Sequence, residues 1–263
     1  MRVLGLAVFG RRPVISVEHI VKRYGAFTAV DDVSISVTPG QIHGFLGPNG
    51  AGKTTSIRMI AGLLKPTSGR IIVNGHDLDR EPEAAKAALG FIPDRPFIYE
   101  KLTAGEFLRF HAGLYGMNDG EIETRIKEML DVFELGRWQN ELVESFSHGM
   151  KQRLVMSAAF LHRPKAVLVD EPMVGLDPRG ARLIKDVFRR MAGHGVAILM
   201  STHTLEVAEE MCDVISIILK GKIIAHGTVE ALREMAGSPN DELTPVFLKL
   251  TGGSGLQEIE EIL

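Results

Sequence analysis

Alternating apolar and polar residues mark the opening part of the chain, and unbroken apolar runs mark its second half. The alternation at residues 14–21 and 33–37, followed by a short strand at 70–73, predicts a small antiparallel sheet. The unbroken runs at 166–169 and 196–200 are typical of strands that are buried on both faces of a parallel sheet. The pattern therefore predicts an α/β core with an antiparallel β subdomain attached at its start.

The segment between residues 101 and 162 has the periodicity of helices. Thr103 with Glu106 predicts a capping box, and Asn118 with Glu121 predicts a second one of looser form. Two apolar stripes recur at helical spacing, and we expect them to form core between helices rather than binding faces. The stripes consist of Phe107, Leu108, Phe110 and Leu114, and of Ile122, Ile126, Met129, Leu130 and Phe133.

The last third of the chain returns to strands alternating with helices. Asp177 followed by Pro178 predicts a helix start, because a carboxylate caps free N–H groups and proline suits the first helical position. Residues 214–219 and 223–226 predict a late hairpin, and residues 243–250 predict one last short helix.

Composition limits the class of protein. The chain has 263 residues and a net charge of −3, so its charge gives no indication of nucleic-acid binding. No segment reaches the roughly 18 consecutive apolar residues that are needed to cross a bilayer. Cys212 is the single cysteine, which excludes an intrachain disulfide, and its apolar surroundings indicate core packing rather than a reactive thiol.

The length suits one large domain with a smaller lobe. We expect that domain over residues 14–250, with the helical subdomain over about 95–162. Residues 1–13 lack a signal-peptide cleavage pattern, and we expect a disordered leader or the product of an over-early start codon. Residues 251–263 begin with glycines and end acidic, which predicts a flexible tail.

One loop carries the clearest chemical signal. Two glycines separated by four residues precede a lysine and a threonine, between a predicted strand at 41–46 and a predicted helix at 54–64. Glycine lets backbone N–H groups turn toward phosphate oxygens, the lysine adds positive charge, and the hydroxyl can ligate Mg²⁺. The pattern predicts a nucleoside triphosphate site formed by Gly47, Pro48, Asn49, Gly50, Ala51, Gly52, Lys53, Thr54 and Thr55.

Two carboxylates follow the apolar run at 166–169. We expect Asp170 to hold Mg²⁺ through water beside the phosphate loop. Glu171 is placed to polarise a water for in-line attack on the γ-phosphate, as general base or orienting group. Such a pair seen alone is more often a helix cap or surface charge, but the phosphate loop upstream favours the catalytic interpretation.

A third motif lies just before that run. Ser147 and Gly149 would place a hydroxyl and an unobstructed backbone N–H at a helix start, which is a second anion site. With these motifs in this order, residues 14–250 resemble the nucleotide-binding subunit of an ATP-binding cassette (ABC) transporter. The resemblance implies a P-loop NTPase core with a mixed, mainly parallel sheet, an N-terminal antiparallel β subdomain and an inserted helical subdomain.

The resemblance also implies roles for three further residues. Tyr24 corresponds to the aromatic residue that stacks on adenine, and Asp177 belongs to the segment that matches the D-loop. His203 corresponds to the switch histidine that reaches the γ-phosphate. Taken alone, His203 would more often be a structural histidine at a strand end, and its place after the other motifs favours the functional role.

The family's signature motif implies a partner. In this chain it comprises Ser147, His148, Gly149 and Met150. In ABC proteins the signature completes the ATP site of the opposite subunit, which implies a homodimer or a heterodimer with a related ATPase subunit. The implied function is Mg²⁺-dependent ATP hydrolysis at the cytoplasmic face of the membrane, energising transport through separate integral membrane subunits.

The chain departs from the family pattern at two motifs. Asp94 stands where glutamine is usual; it is either a ligand linked to Mg²⁺ or the start of a turn before Pro96, and we favour the metal-linked role. His148 replaces the first usual glycine of the signature, and Met150 replaces the usual glutamine. The His148 imidazole either points away harmlessly or approaches the γ-phosphate, where it would make dimerisation pH-sensitive.

The apolar segment from Pro96 to Tyr99 has two interpretations of equal weight. In the family this region faces the coupling helix of the membrane subunit, and ordinary packing of the helical subdomain needs the same residue types. A soluble ABC ATPase with an assembly role is the alternative function. The short tail after the hairpin resembles exporter-type cassettes, but the transported substrate and the direction stay open because specificity lies in the membrane subunits.

Overall fold

The computed structural model describes residues 12–95, 97–173, 175–239 and 241–252, which form two sheets with helices packed around them. The strands are β1 (Ile15–Tyr24), β2 (Phe27–Val37), β3 (Ile42–Leu46), β4 (Ser68–Val73), β5 (His76–Asp77), β6 (Leu89–Ile92), β7 (Ala166–Asp170), β8 (Ala197–Thr202), β9 (Val214–Leu219) and β10 (Lys222–Gly227). The helices are α1 (Lys53–Ile60), α2 (Pro82–Ala87), α3 (Ala104–Leu114), α4 (Asp119–Val132), α5 (His148–Leu161), α6 (Pro178–Gly193), α7 (Leu205–Met211), α8 (Val229–Met235) and α9 (Leu243–Thr251).

The smaller sheet is antiparallel, with strand order β2-β1-β4-β5, as the alternation predicted. Its inward residues bury a core against the larger sheet, while the outward residues stay exposed. β2 begins at Phe27, six residues before the predicted start at Val33. The prediction missed these residues because a break in the β1–β2 register, where Lys22 pairs with Val30 and Arg23 with Thr28, interrupts the two-residue period.

The larger sheet has strand order β10-β9-β3-β8-β7-β6. The strands from β9 to β6 are parallel, and β10 pairs antiparallel at one edge. β3, β7 and β8 are buried along their whole length, and for β7 and β8 this burial explains the unbroken apolar runs at 166–169 and 196–200. Because the strands are parallel, the residues that follow β3, β6, β7 and β8 all emerge at one edge of the sheet.

The helical subdomain consists of α3, α4 and α5, with two short 3₁₀ turns between α4 and α5. The Thr103–Glu106 capping box is present, whereas Asn118 caps α4 by accepting a hydrogen bond from the N–H of Gly120. The stripe on α4 is packed as predicted. The stripe on α3 is not, because Phe110 and Leu114 are exposed while Phe107 and Leu108 are buried. The assignment of Phe110 and Leu114 to the core was therefore wrong, because both lie on the outer side of α3.

The last part of the chain adds the β9–β10 hairpin and helices α7, α8 and α9, which share a small apolar core. The hairpin and α9 agree with the predicted elements. The sequence analysis did not predict α2, α7 or α8, because helices of six or seven residues are too short to display a helical period. α1 ends at Ile60 rather than at 64.

Several predictions lie mainly outside the described residues. Of the predicted leader over 1–13 only residues 12 and 13 are described, and of the predicted tail over 251–263 only 251 and 252. The division into a 14–250 domain with a helical part over 95–162 stays a prediction. Across the described residues, no helix combines the length and the apolar character that a membrane crossing needs.

Phe160 of α5 packs between the end of α4 and α6, and it provides a test of that packing. Its ring is 1% exposed and lies 6.2 Å from the ring of Phe133 and 6.1 Å from that of Phe188. Phe160→Ala should lower the free energy of unfolding by about 3–5 kcal/mol, because the cavity left behind cannot close. Urea denaturation measures this loss. Phe110→Ala, on the exposed side of α3, serves as control and should cost about 0.5 kcal/mol or less; equal losses would contradict the packing described.

Candidate active site

The phosphate loop turns sharply because its glycines have no side chains. A Cβ atom on Gly47 would lie 2.4 Å from the carbonyl oxygen of Ile218, and one on Gly52 would lie 2.7 Å from that of Ala29. Gly52 also has φ of 109° and forms the N-cap of α1. The loop therefore passes closer to its neighbours than any other residue type allows, and it directs the chain into the helix.

The Lys53 side chain folds back over the loop. Its Nζ donates to the carbonyl oxygens of Gly47 at 2.7 Å and Pro48 at 3.2 Å, and it lies 3.8 Å from Oε1 of Glu171. Burial lowers the pKa of the Lys53 ammonium, and the nearby carboxylates of Glu171 and Asp170 oppose that shift. The buried ammonium is thus placed beside the first turn of α1, whose N–H groups have no partner within the helix.

Residues of this first turn fit a phosphate group. The N-terminus of a helix attracts anions through its free N–H groups and its dipole, and α1 presents Lys53, Thr54 and Thr55 there. Lys53 adds a full positive charge at the same place. The loop predicted from the sequence is therefore a structure that can hold a chain of phosphates.

Asp170 ends β7 and is 3% exposed. Its Oδ1 accepts a hydrogen bond from the hydroxyl of Ser201, which lies opposite in the register of β7 with β8. A buried carboxylate with one protein donor keeps oxygen lone pairs for another ligand. The Asp170 carboxylate and the Thr54 hydroxyl at the start of α1 both offer oxygen atoms, which are the ligands that suit a hard cation such as Mg²⁺.

Glu171 occupies an unusual backbone conformation. Its φ is 52°, in the left-handed region that residues with side chains rarely adopt, and its N–H donates to the carbonyl of Ser201 at 3.2 Å. Oε2 of Glu171 lies 2.9 Å from Nδ1 of His203, which follows β8 directly. The carboxylate is thus held between an ammonium and an imidazole, at a strained residue of the kind found at functional sites.

The signature residues begin helix α5 at the surface. Ser147 is the N-cap, and its hydroxyl accepts a hydrogen bond from the N–H of Met150 at 3.4 Å. Ser147 and His148 are exposed, and a Cβ atom on Gly149 would lie 3.6 Å from the side chain of Leu176. The His148 ring lies against Gly175, where a Cβ atom would stand 2.8 Å from its Nε2. The imidazole therefore packs on the segment that leads to Asp177.

Asp177 has a structural partner. Its carboxylate accepts a hydrogen bond from the N–H of Gly180 at 2.8 Å and caps α6, with Pro178 at the first helical position, as the sequence predicted.

Two other predicted site residues make no contact with Lys53 or Glu171 among the described residues. Tyr24 is half exposed at the end of β1, with the Lys22 ammonium 5.3 Å from its ring centroid. Asp94 follows β6, the neighbour of β7, and its Oδ2 lies 3.9 Å from Nε of the exposed Arg95. Both remain predictions.

The segment from Pro96 to Tyr99 is only partly described, because Pro96 lies outside the described residues. Phe97 is exposed, and its ring meets Tyr99 edge to face at 5.4 Å. Tyr99 in turn meets Phe110 at 5.2 Å in the same geometry. These rings form an aromatic surface on the helical subdomain.

Two residues of the site were not identified from the sequence. Ser201 holds Asp170, and Gln152 donates from its buried Nε2 to the carbonyl of Pro172 at 2.7 Å. Both lie close to residues already singled out, since Ser201 is two residues before His203 and Gln152 is two residues after Met150. A polar residue beside a motif is a weak signal by itself, since only the strand register and helix packing show which partner it reaches.

Comparisons with known proteins agree with this geometry. The sequence model of the family described as ABC transporter matches residues 30–174. The linearmycin resistance ATP-binding protein LnrL of Bacillus subtilis (strain 168) is 39% identical over 215 residues, covering 82% of this chain and 69% of that protein. The daunorubicin resistance ATP-binding protein DrrA3 of Streptomyces coeruleorubidus is 37% identical over 223 residues, covering 85% and 71%.

A solved structure of the ATP-binding subunit of an ABC transporter superposes with a TM-score of 0.85 at 35% identity, covering 90% of this chain and 99% of that one. The chain therefore belongs to the ABC transporter family. Within that family it is an ATP-hydrolysing subunit, whose general role is to drive transport through membrane partners. The family resemblance and the fold class predicted from the sequence are confirmed, and the soluble assembly role is not favoured.

The contact between His148 and Gly175 can be tested by a double-mutant cycle. Gly175→Ala should destabilise the protein, because Gly175 has φ of 77° and the added methyl group meets the His148 ring. His148→Gly in the same chain removes the collision and leaves only the backbone strain, so the two changes should interact by about 0.5–3 kcal/mol. Thermal unfolding of the wild type, the two single variants and the double variant measures the four stabilities.

Gly116 supplies the matched control, since its φ is 61° and nothing lies within 4 Å of an added Cβ. Gly116→Ala should cost about 1–2 kcal/mol from backbone strain alone and show no interaction with His148→Gly. Strict additivity of Gly175→Ala and His148→Gly would show that the ring does not pack there.

Proposed function

We propose that this chain hydrolyses Mg²⁺-ATP with Glu171 as the group that activates the attacking water. The observation that carries the proposal is the position of the Glu171 carboxylate, 3.8 Å from the Lys53 ammonium and 2.9 Å from Nδ1 of His203. A largely buried carboxylate held beside the phosphate-binding lysine at the edge of the sheet is suited to accept a proton there.

The proposed reaction is an in-line displacement. The loop N–H groups and Lys53 hold the β- and γ-phosphates, and Glu171 orients a water on the side of the γ-phosphorus opposite the leaving oxygen. As the water oxygen bonds to phosphorus, its proton passes to Glu171 and the bond to ADP breaks, giving ADP and inorganic phosphate. His203 orients Glu171 through the Nδ1 contact and presents its other ring nitrogen to the γ-phosphate. Tyr24 stacks on the adenine ring.

Oxygen ligands for Mg²⁺ are available beside the loop. In this proposal the Thr54 hydroxyl, the Asp170 carboxylate and the Asp94 carboxylate provide them, Asp170 and Asp94 through water. The bound ion would neutralise charge that develops on the β- and γ-phosphates. The orientation of Asp170 by Ser201 supports this assignment.

A second subunit completes the site in this proposal. Ser147 and Gly149 stand at the exposed N-terminus of α5, where free N–H groups and the helix dipole favour an anion. They would contact the γ-phosphate held by the partner, either a second copy or a related ATPase subunit, and Asp177 lies in the neighbouring D-loop. ATP then acts as the link that favours the closed dimer.

We propose that the chain docks on its integral membrane partners at the cytoplasmic face of the membrane. The aromatic surface near Tyr99 would be the part of the chain that contacts them. Resistance to linearmycin and to daunorubicin is named for two relatives. Export of a toxic compound is one way in which an ATP-driven transporter confers resistance. We therefore propose outward transport for this chain, while the substrate depends on the membrane subunits.

Glu171→Gln tests the base assignment. The amide keeps the shape of the side chain but cannot accept a proton, so ATP should still bind while hydrolysis falls about 10²- to 10⁴-fold. Phosphate release measures hydrolysis, and size-exclusion chromatography with ATP should show a dimer that persists because ATP is not consumed.

Lys53→Ala serves as the matched control, since loss of the ammonium should prevent both binding and dimerisation. Turnover of the Glu171→Gln protein at the wild-type rate would refute the role of Glu171. A monomer in saturating ATP would instead argue against the proposed dimer.

Asp94→Ala tests the metal-linked role of that residue. If Asp94 helps to hold Mg²⁺ through water, the Mg²⁺ concentration for half-maximal ATPase activity should rise about tenfold. Asp79→Ala is the control, because Asp79 is another solvent-facing aspartate and pairs with Lys65 away from the loop. Identical Mg²⁺ titrations for the two variants and wild type would leave Asp94 as a turn residue.

A further inference from the structure

The tip of the β1–β2 hairpin carries two aromatic rings. Tyr24 ends β1 and Phe27 begins β2, and they are direct partners in the antiparallel register across the two-residue turn of Gly25 and Ala26. Side chains that lie directly opposite in an antiparallel pair project from the same face. The two rings therefore share one face of the hairpin tip.

Both rings lie largely outside the core of the subdomain. Phe27 is 65% exposed and Tyr24 is 51% exposed, whereas the inward residues Ile20, Val30 and Val33 are fully buried. The Lys22 ammonium lies over the Tyr24 ring, 5.3 Å from its centroid, and also donates to the backbone carbonyl of Lys65. Phe27 has no polar atom in its side chain, so only an apolar or aromatic ligand surface can cover it favourably.

A bulge in β2 fixes the hairpin tip beside the phosphate loop. The register passes from Val30 to Thr28 and skips Ala29, whose carbonyl oxygen lies 2.7 Å from where a Cβ on Gly52 would stand. The same oxygen lies 2.9 Å from the corresponding position on Gly221. Phe27 lies two residues before Ala29 in β2, at the hairpin turn. Two residues of a strand span about 7 Å.

We infer that Phe27 contacts the base of bound ATP together with Tyr24, so that two rings rather than one form the base site of this chain. The inference rests on the proposed function, in which Tyr24 stacks on adenine. A nucleotide whose phosphates lie at the first turn of α1 reaches back toward the hairpin tip with its base, because Ala29 holds that tip beside Gly52. The free energy of stacking on two rings increases with the area of the base, and a purine is larger than a pyrimidine. Phe27 should therefore favour purine nucleotides over pyrimidine nucleotides.

The test compares two ligands that differ by the nucleoside alone. Phe27→Ala in the full-length chain should weaken binding of ADP about 5- to 30-fold and leave binding of inorganic pyrophosphate unchanged, because pyrophosphate has no base. Isothermal titration calorimetry with Mg²⁺ measures both affinities. Phe27→Trp should restore ADP binding, and the preference for ATP over CTP in hydrolysis should fall in Phe27→Ala.

Leu63→Ala is the matched control, since Leu63 is 64% exposed at the other end of α1 and should leave both affinities unchanged. Equal weakening of ADP and pyrophosphate in Phe27→Ala would mean that the phosphate loop is disturbed, and it would overturn the inference. Unchanged ADP binding in Phe27→Ala, with weakened binding in Tyr24→Ala, would overturn it and leave the proposed function standing. Failure of the wild-type chain to bind ADP or ATP would reject the proposed function itself.

Discussion

The buried ammonium of Lys53 is the constraint on which the site depends. A charge that is removed from water must be balanced, and here carbonyl oxygens of Gly47 and Pro48 and the carboxylates of Asp170 and Glu171 surround it. These groups come from the loop after β3 and from the end of β7, which are separated in the sheet by β8. The balance therefore requires the strands to keep their register, so the electrostatics of one side chain and the topology of the sheet depend on each other.

Parallel pairing concentrates the chemistry at one edge of the sheet. Asp170 meets Ser201 because they are partners across β7 and β8. Glu171 meets His203 because Glu171 follows β7 and His203 follows the neighbouring strand β8. The strained φ of Glu171 turns its side chain toward the phosphate loop, and the hydrogen bond from its N–H to Ser201 holds that turn. The buried strands supply the rigidity that such a conformation needs.

The signature helix is tied to this edge as well. Gln152 on α5 donates to the carbonyl of Pro172, one residue after Glu171, and the His148 ring packs on Gly175 farther along the same segment. Movement of α5 would therefore displace the loop that follows β7. This gives a physical route by which a contact at Ser147 could reach the Glu171 carboxylate. The helices of the subdomain also share one apolar core with the larger sheet, which couples α5 to the strands.

Features that depend on neighbours within a few residues can be predicted from the sequence: the phosphate loop, the caps at Thr103 and Asp177, the buried runs of the parallel strands, and the family. It could not determine which face of α3 points outward, since the exposure of Phe110 depends on where α4 and α5 pack. Nor could it pair Glu171 with His203, because the register of two strands decides that contact. Local patterns set element types, whereas distances between distant residues arise only when the whole sheet assembles.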